Sequence, residues 1–302
     1  MTVLVVGEAL VDLIVSPDGS LEAVPGGGPF NLARTAARLG VATAFGGGIS
    51  DDVFGRRIAA LLRADDVDTP VTTRTGLNTT LAIAELDASG AASYTFYLDG
   101  TAAAELHDGD VIVGDDVDVL AVGTLGLVAE PIAATVERLV AGVADRVLVF
   151  VDPNCRPSVI SDDAGYRARL ERVLARADVV KVSGDDLAYL DADADPVAVA
   201  RGLLALGPAV VLFTDGGDSV RLLLANEELV VPVPGVDVVD TVGAGDAFGG
   251  AFIAFWERDG HHRDDLTDLA KLRSAVERAI VVAGITCTRP GADPPHLAEL
   301  PA

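Results

Sequence analysis

The chain has 302 residues, of which 50% are hydrophobic, so it can bury a full core as one large domain or two small ones. Its formal net charge of −24 makes nucleic acid and anionic membranes poor partners. The two cysteines form no CxxC pair, which argues against a disulfide framework and against a cysteine-based zinc site.

The chain begins with MTVLVVGEALVDLIV, an apolar stretch that we interpret as a buried first strand. No basic residue precedes the apolar run, and Glu8 and Asp12 interrupt it, so it does not predict a signal peptide. No apolar run approaches the roughly 20 residues of a membrane-spanning helix. We therefore expect a cytoplasmic protein without a membrane partner.

Short β-branched runs alternate with alanine-rich helical patterns through most of the chain. Near-continuous apolar strands that alternate with helices indicate a parallel sheet covered on both faces. The predicted strands are 3–7, 42–47, 118–123, 147–152, 178–183 and 209–214, and the predicted helices are 30–39, 53–62, 131–141, 166–175 and 196–206. No repeat or linker breaks the pattern, so we expect a single domain over residues 1–302.

Two stretches depart from this alternation of strands and helices. Residues 79–98 alternate in polarity around an Asp-Ala-Ser-Gly turn, and residues 11–27 are extended around a Pro-Asp-Gly turn. They predict a small β-sheet lid, formed by about 12–26 and 72–101, over one end of the main sheet. Such flaps often exclude water from an active site. A hairpin that only decorates the surface or forms a dimer would leave the same pattern.

The stretch DTVGAGDAFGGAF, residues 240–252, places two glycines and a carboxylate before an apolar helix-like run. The backbone of Gly243, Ala244 and Gly245 can turn its N–H groups toward one point, and the positive end of the following helix completes an anion site. Asp246 alone is equally well explained as a capping residue in the first turn. Capping does not explain the paired glycines, so both interpretations stay open.

Four other polar stretches follow predicted strands or open a predicted helix. GGGPFN (26–31) precedes the first helix, and VDPNCRP (151–157), KVSGDDL (181–187) and TDGGDS (214–219) each follow a strand. Each of them alone is ordinary turn or cap chemistry. Their joint position matters more, because open parallel sheets bind ligands at the carboxyl edge of the strands.

The common nucleotide and hydrolase motifs do not occur in the sequence. There is no GxxxxGK[ST], no GxGxxG after a strand and no GxSxG. A P-loop protein, a nicotinamide-dependent oxidoreductase and an α/β-hydrolase are therefore disfavoured.

Taken together, these motifs resemble the ribokinase-like (PfkB) carbohydrate kinase family over essentially the whole chain. DTVGAGDAF matches the family's C-terminal signature DTxGAGD, and GGGPFNLARTAARLG matches its glycine-rich N-terminal signature. VVGEALVDLI, TTLAIAEL, VDPNCRP and KVS are most similar to the fructokinase branch. The resemblance implies an α/β fold with a mostly parallel central sheet flanked by helices, a small β-sheet lid, and transfer of the γ-phosphoryl group of ATP to a sugar hydroxyl.

The resemblance also implies roles for individual residues. Asp246 would be the catalytic base, beside an anion hole formed by Gly243, Ala244 and Gly245. The sugar would contact Asp12, Gly27, Gly28, Asn31 and Phe96; the nucleotide would contact Asn154, Lys181, Thr214, Gly216 and Gly245; K⁺ would lie near Asp240, Val242 and Gly291; and Asp186 would act on Mg²⁺ through water. The sequence departs from the family pattern in three places: Ser183 and Asp186 replace its N-x-x-E-like motif, Ser219 replaces a glycine, and Ile280 stands where relatives often have Asn.

The identity of the sugar depends on the lid. The strand YTFYLDGTAA carries Leu98 and Asp99 but no cation, which favours a neutral ketohexose such as fructose over an acidic sugar. The alternatives are 2-keto-3-deoxygluconate, and then ribose or a nucleoside. A non-catalytic sugar-binding regulator is a further alternative, although it would have no use for Asp246 and the GAG sequence. The lid edge strands need covering, so we expect a homodimer through the lid.

Overall fold

The structure is a computed structural model that describes residues 2–69, 72–86 and 92–301. Within these ranges the strands are β1 Thr2–Val6, β2 Leu10–Val15, β3 Leu21–Gly26, β4 Thr43–Gly46, β5 Gly48–Ser50, β6 Val67–Asp68, β7 Thr73–Thr75, β8 Leu81–Leu86, β9 Ala92–Tyr97, β10 Val117–Gly123, β11 Leu148–Asp152, β12 Val179–Ser183, β13 Val210–Asp215, β14 Ser219–Leu223 and β15 Glu228–Pro232. The α-helices are α1 Gly28–Arg38, α2 Val53–Ala64, α3 Ile132–Gly142, α4 Asp163–Leu174, α5 Gly184–Leu190, α6 Pro196–Leu204, α7 Ala244–Arg258 and α8 Leu269–Cys287.

The main sheet has nine strands in the order β15-β14-β13-β12-β11-β10-β1-β4-β6. All neighbours from β13 to β6 pair in parallel, whereas β14 and β15 run antiparallel at one edge. The six predicted strands are confirmed to within one residue at each end, and the five predicted helices to within three. The predicted α/β class is therefore confirmed.

Helices cover both faces of the main sheet. One apolar layer packs α1, α2, α7 and α8 on the sheet, and the other packs α3, α4, α5 and α6. The phenylalanines at 248, 252 and 255 lie one helical turn apart on α7 and are all buried, as their spacing predicts. This packing fixes α7 with its N-terminus at the carboxyl edge of the strands.

A second, small sheet consists of β2, β3, β8 and β9 in the order β3-β2-β8-β9. Each of the two chain excursions forms an antiparallel hairpin, and β2 pairs in parallel with β8 to join them. The predicted turn at 87–90 lies outside the described residues. Among the residues that are described, no helix is both long enough and apolar enough to cross a bilayer.

Candidate active site

The glycine turn before α7 presents Asp246 to the carboxyl edge of the sheet. Gly243 is the N-cap residue and has a φ of 74°, a left-handed conformation that favours glycine. No side chain caps the helix; instead, Oδ2 of Asp246 accepts a hydrogen bond of 2.9 Å from Nδ2 of Asn31. Asp246 therefore lies in the first turn, as predicted, but Gly243 is the N-cap residue and the Asp246 carboxylate bonds to Asn31. We call Gly243, Ala244 and Gly245 the anion turn.

Three side chains converge on the backbone of Gly28, at the start of α1. A Cβ atom placed on Gly28 would lie 2.6 Å from Oγ1 of Thr124, 3.3 Å from Oδ1 of Asp246 and 3.5 Å from Nδ2 of Asn154. Only glycine leaves room there for a ligand group between these side chains. Thr124 and Asn154 both adopt positive φ values, 53° and 40°, which is backbone strain of a kind that concentrates at functional sites.

A buried ion pair lies behind the anion turn. Nζ of Lys181 is 3.0 Å from Oδ2 of Asp152, and both side chains are almost fully buried. Burial opposes the charge of Lys181, but the carboxylates of Asp152 and Asp186 outweigh this and raise its pKa. A Cβ atom on Gly245 would lie 2.9 Å from Nζ, so the ammonium group is in contact with the turn. A fixed positive charge therefore stands beside the predicted anion hole.

The carboxyl groups of the site have raised pKa values. Burial raises the pKa of Asp246, against the opposing effects of its bond from Asn31 and the charge of Lys181. Burial raises the pKa of Asp152 to about 6. It also raises that of Glu8 to about 8, although hydrogen bonds from the backbone N–H groups of Glu8 itself, Gly126 and Gly28 partly oppose this. Burial thus opposes ionisation of all three carboxyl groups.

The predicted sugar-binding side chains lie on the small-sheet side of the site. Asn31 is 4% exposed, and its Oδ1 is buried without a hydrogen-bond partner, so it can accept a bond from a ligand hydroxyl. Oδ2 of Asp12 lies where a Cβ atom on Gly26 would be, and burial together with the charge of Asp246 raises the pKa of Asp12 to about 6. Phe96 of β9 packs against Leu125. Gly27 has a φ of 110° at the turn into α1.

The predicted nucleotide-binding residues follow β11, β12 and β13. Asp186 is buried in the cap of α5, where it accepts hydrogen bonds from the backbone N–H groups of Cys155 and Ser183 and from the Ser183 hydroxyl. Thr214 ends β13 and donates to the carbonyl oxygen of Val182. Gly216 lies in the next turn with open space around it. Their contacts with a nucleotide stay predictions.

Asp240 connects the other two residues that are predicted to lie near K⁺, Val242 and Gly291. Its Oδ1 accepts from the N–H of Val242 at 3.0 Å, and its Oδ2 accepts from the N–H of Gly291 at 2.8 Å. A single carboxylate thus ties the segment before α7 to the segment after α8.

Sequence reasoning missed four residues of the site. Glu8 accepts from the backbone of Gly28, and Thr124, Asp152 and Arg156 face the same region. The signal for Asp152 and Arg156 was present in VDPNCRP, which follows a strand, but only Asn154 of that stretch was assigned. Burial of Glu8 and the turn at Thr124 have no local sequence signal.

The chain is similar to known proteins over most of its length. The model of the pfkB family carbohydrate kinases matches residues 2–298. A fructokinase from Rhizobium leguminosarum bv. trifolii is 34% identical over 262 residues, covering 85% of this chain and 80% of the relative. A fructokinase from Xylella fastidiosa with bound ATP superposes with a TM-score of 0.88 at 29% identity, covering 96% and 93% of the two chains. A double mutant of Vibrio cholerae fructokinase with fructose, ADP and potassium ion bound gives 0.86 at 26% identity, covering 96% and 93%.

Proposed function

The chain belongs to the pfkB family of carbohydrate kinases, and on this premise we propose that it is a fructokinase that uses ATP to phosphorylate a hydroxyl of fructose. The observation that carries the assignment of roles is the position of Asp246. Its partly buried carboxylate stands in the first turn of α7, bonded to Asn31 and flanked by Lys181 and the backbone of Gly28. A general base, a hydroxyl-binding amide and a phosphate-binding cation thus meet at one point.

The residues of the site divide the work of phosphoryl transfer. Because the transition state is loose, positioning and charge neutralisation matter more than a strong base. Asn31 orients the sugar hydroxyl through its unpartnered Oδ1, and Asp246 accepts the hydroxyl proton late in the transfer. Lys181 and the N-terminal end of α7 neutralise charge that develops on the phosphoryl oxygens. The glycines of the anion turn let the phosphoryl group approach the backbone.

The residues fit a divalent cation at the nucleotide phosphates. Oδ1 of Asp152 is buried without a partner, and an oxygen of this kind suits the hard Mg²⁺ ion. The oxygens of Asp186 already accept three hydrogen bonds from protein donors, which leaves little acceptor capacity for its predicted contact with Mg²⁺ through water. When bound, Mg²⁺ supplies charge neutralisation to the phosphates.

The carboxylate of Asp240 supports the predicted K⁺ site. It accepts hydrogen bonds from the N–H groups of Val242 and Gly291 and so holds the two segments together. Oxygen donors of this type suit a hard monovalent cation. We propose that K⁺ binds here and fixes the two segments beside the anion turn.

One observation favours 2-keto-3-deoxygluconate as a second candidate substrate. The lid strand has no cation, but Arg156, which follows β11, lies close enough to Asp12 and Asp246 to oppose the rise in their pKa values. A guanidinium group there can pair with the carboxylate of an acidic sugar. We rank fructose first, because Asp12 and Asp246 already balance this single positive charge.

The remaining predictions concern organisation and assembly. We propose that the chain is a single domain whose small sheet, within about 12–26 and 72–101, closes over the sugar as a lid. Exposed apolar side chains on this sheet, Leu21, Tyr94 and Tyr97, support a homodimer through the lid. A cytoplasmic location, where ATP is available, stays a prediction.

The test is an ADP-release assay with Mg-ATP and K⁺ over fructose, 2-keto-3-deoxygluconate, ribose and adenosine. Preferred turnover of fructose supports the proposal, and preferred turnover of the acidic sugar contradicts it. The variant Arg156→Gln separates the two substrates, because it should raise the KM of the acidic sugar more than that of fructose. Binding of fructose without turnover would instead indicate a sugar-binding regulator.

A further inference from the structure

A cluster of buried charges lies outside the site, between α1, the end of α2 and the segment after α8. Nε of Arg34 is 2.6 Å from Oδ2 of Asp65, and Nε of Arg38 is 2.8 Å from Oδ1 of the same carboxylate. Arg34 is 5% exposed and Asp65 7%. We call Arg34, Arg38 and Asp65 the arginine clamp. Two guanidinium groups on one buried carboxylate leave an excess of N–H donors and of positive charge.

Besides Asp65, the hydrogen-bond acceptors of Arg34 and Arg38 in the described part of the chain belong to one loop, residues 291–294. Nη1 of Arg34 donates to the carbonyl oxygen of Ala292 at 3.4 Å. Nη1 of Arg38 donates to the carbonyl oxygen of Pro294 and pairs with Oδ1 of Asp293 at 2.7 Å. The clamp therefore holds this loop through three contacts, two to its backbone and one to the side chain of Asp293.

The loop in turn contacts the anion turn. A Cβ atom on Gly243 would lie 2.4 Å from Cβ of Ala292, so the two backbones are packed as closely as glycine allows. Gly291 donates to Asp240, which also binds the segment that leads into the turn. Any displacement of the loop must therefore move Gly243 or open a gap behind it.

The same face of α1 connects the clamp to the catalytic base. Asn31, Arg34 and Arg38 are spaced i, i+3 and i+7, so they form one stripe along the helix. Asn31 binds Asp246, and the two arginines bind the loop beneath the turn that carries Asp246. Buried ion pairs are a poor source of stability compared with apolar packing, so stability alone does not account for the clamp.

We propose that Arg34 and Arg38 are positioning residues for phosphoryl transfer: they hold the 291–294 loop against Gly243 and so keep the anion turn and the Asp240 bridge in register. The inference rests on the proposed function. Without the clamp, the loop must be ordered by K⁺ binding beside it, and that ordering cost weakens the binding of the ion. A variant that lacks the clamp should therefore depend more strongly on K⁺ than the wild type does.

The test compares Arg34→Gln and Asp293→Asn with a matched control, Arg176→Gln. Arg176 is also largely buried, pairs with the buried Asp178 at 3.1 Å and donates to two backbone carbonyls, but these belong to Ala144 and Val147, away from the site. All variants are assayed for kcat and KM over a K⁺ titration, with Na⁺ replacing K⁺ to keep the ionic strength constant. Amide hydrogen exchange of peptides covering 240–246 and 289–296 is measured with and without K⁺.

We expect Arg34→Gln and Asp293→Asn each to lower kcat about fivefold to tenfold at low K⁺, with little change in the sugar KM. Their kcat should recover at saturating K⁺. Exchange in both peptides should rise without K⁺ and fall when it is added. Arg176→Gln should lower the thermal midpoint only. If Arg34→Gln matches this control in kcat, K⁺ response and exchange, the proposal is wrong. If Arg34→Gln does not fold, Asp293→Asn decides, because that carboxylate is half-exposed. A wild-type chain that phosphorylates no sugar contradicts the proposed function, whereas the exchange result still tests the clamp.

Discussion

Gly243→Ala tests whether the anion turn is fixed by close packing against the 291–294 loop. The new Cβ would lie 2.4 Å from Cβ of Ala292, whereas ordinary carbon–carbon contact is about 3.5–4.0 Å. Relief of the clash therefore requires the two backbones to separate by about 1.1–1.6 Å. The residue must also keep its positive φ, which costs an alanine about 1–2 kcal/mol.

The expected loss of stability is the sum of strain and overpacking. Overpacking costs about 1–3 kcal/mol, so the total is about 2–5 kcal/mol, less than the stability of most domains of this size. A displacement of about 1 Å at a catalytic group can lower turnover about 10²-fold. We therefore expect a folded enzyme with kcat reduced about 10²-fold. Guanidinium unfolding followed by the fluorescence of Trp256, the single tryptophan, measures the stability, and ADP release measures the turnover.

Two further variants separate the effect of backbone strain from the effect of overpacking. Gly260 also has a positive φ, 68°, but open space around it, so Gly260→Ala should show the strain alone and leave kcat unchanged. Adding Ala292→Gly to Gly243→Ala should recover the stability that is lost to overpacking and much of the turnover. Wild-type turnover in Gly243→Ala, or no recovery in the double variant, would refute the packing argument.

Three other predictions follow from the charges of the site. Asp246→Asn should keep the fold, because an acceptor for the Asn31 amide remains, and should lower kcat about 10²–10⁴-fold. Near-normal single-turnover rates in this variant would exclude Asp246 as the base. The pKa values of Glu8, about 8, and Asp152, about 6, exceed those of the unfolded chain, so the native state binds more protons and the free energy of unfolding should fall as the pH rises from 5 to 8. Glu8→Gln should flatten the stability profile above pH 6, and an unchanged profile contradicts the assignment. Lys181→Met should lower the free energy of unfolding by about 3–5 kcal/mol at pH 8, because it leaves the buried Asp152 carboxylate without its partner, and by less at pH 5. Equal losses at both pH values would show that the pair is not electrostatically coupled.

The sequence predicted the main strands well because each is a short, near-continuous apolar run, and such runs have few alternatives in an α/β chain. It could not decide what Asp246 does, since its partner Asn31 lies 215 positions away and only the fold brings them together. The same limit applies to Glu8, whose contact with Gly126 spans 118 positions. Burial of a polar residue is a tertiary property, and the local pattern that predicts a strand or a cap does not contain it.

The parallel pairing of β2 with β8 determines how the small sheet can move. The ladder contains five residue pairs, from Val11 with Leu81 to Val15 with Glu85. It joins two hairpins that leave the main body at different points of the chain. Neither hairpin can swing on its own without breaking this ladder, so any movement of the small sheet would carry both hairpins together. If the small sheet closes over a sugar as we propose, Asp12 on one hairpin and Phe96 on the other would reach it together. Spin labels on β3 and β9, at opposite edges of the small sheet, would then report one closing rate rather than two.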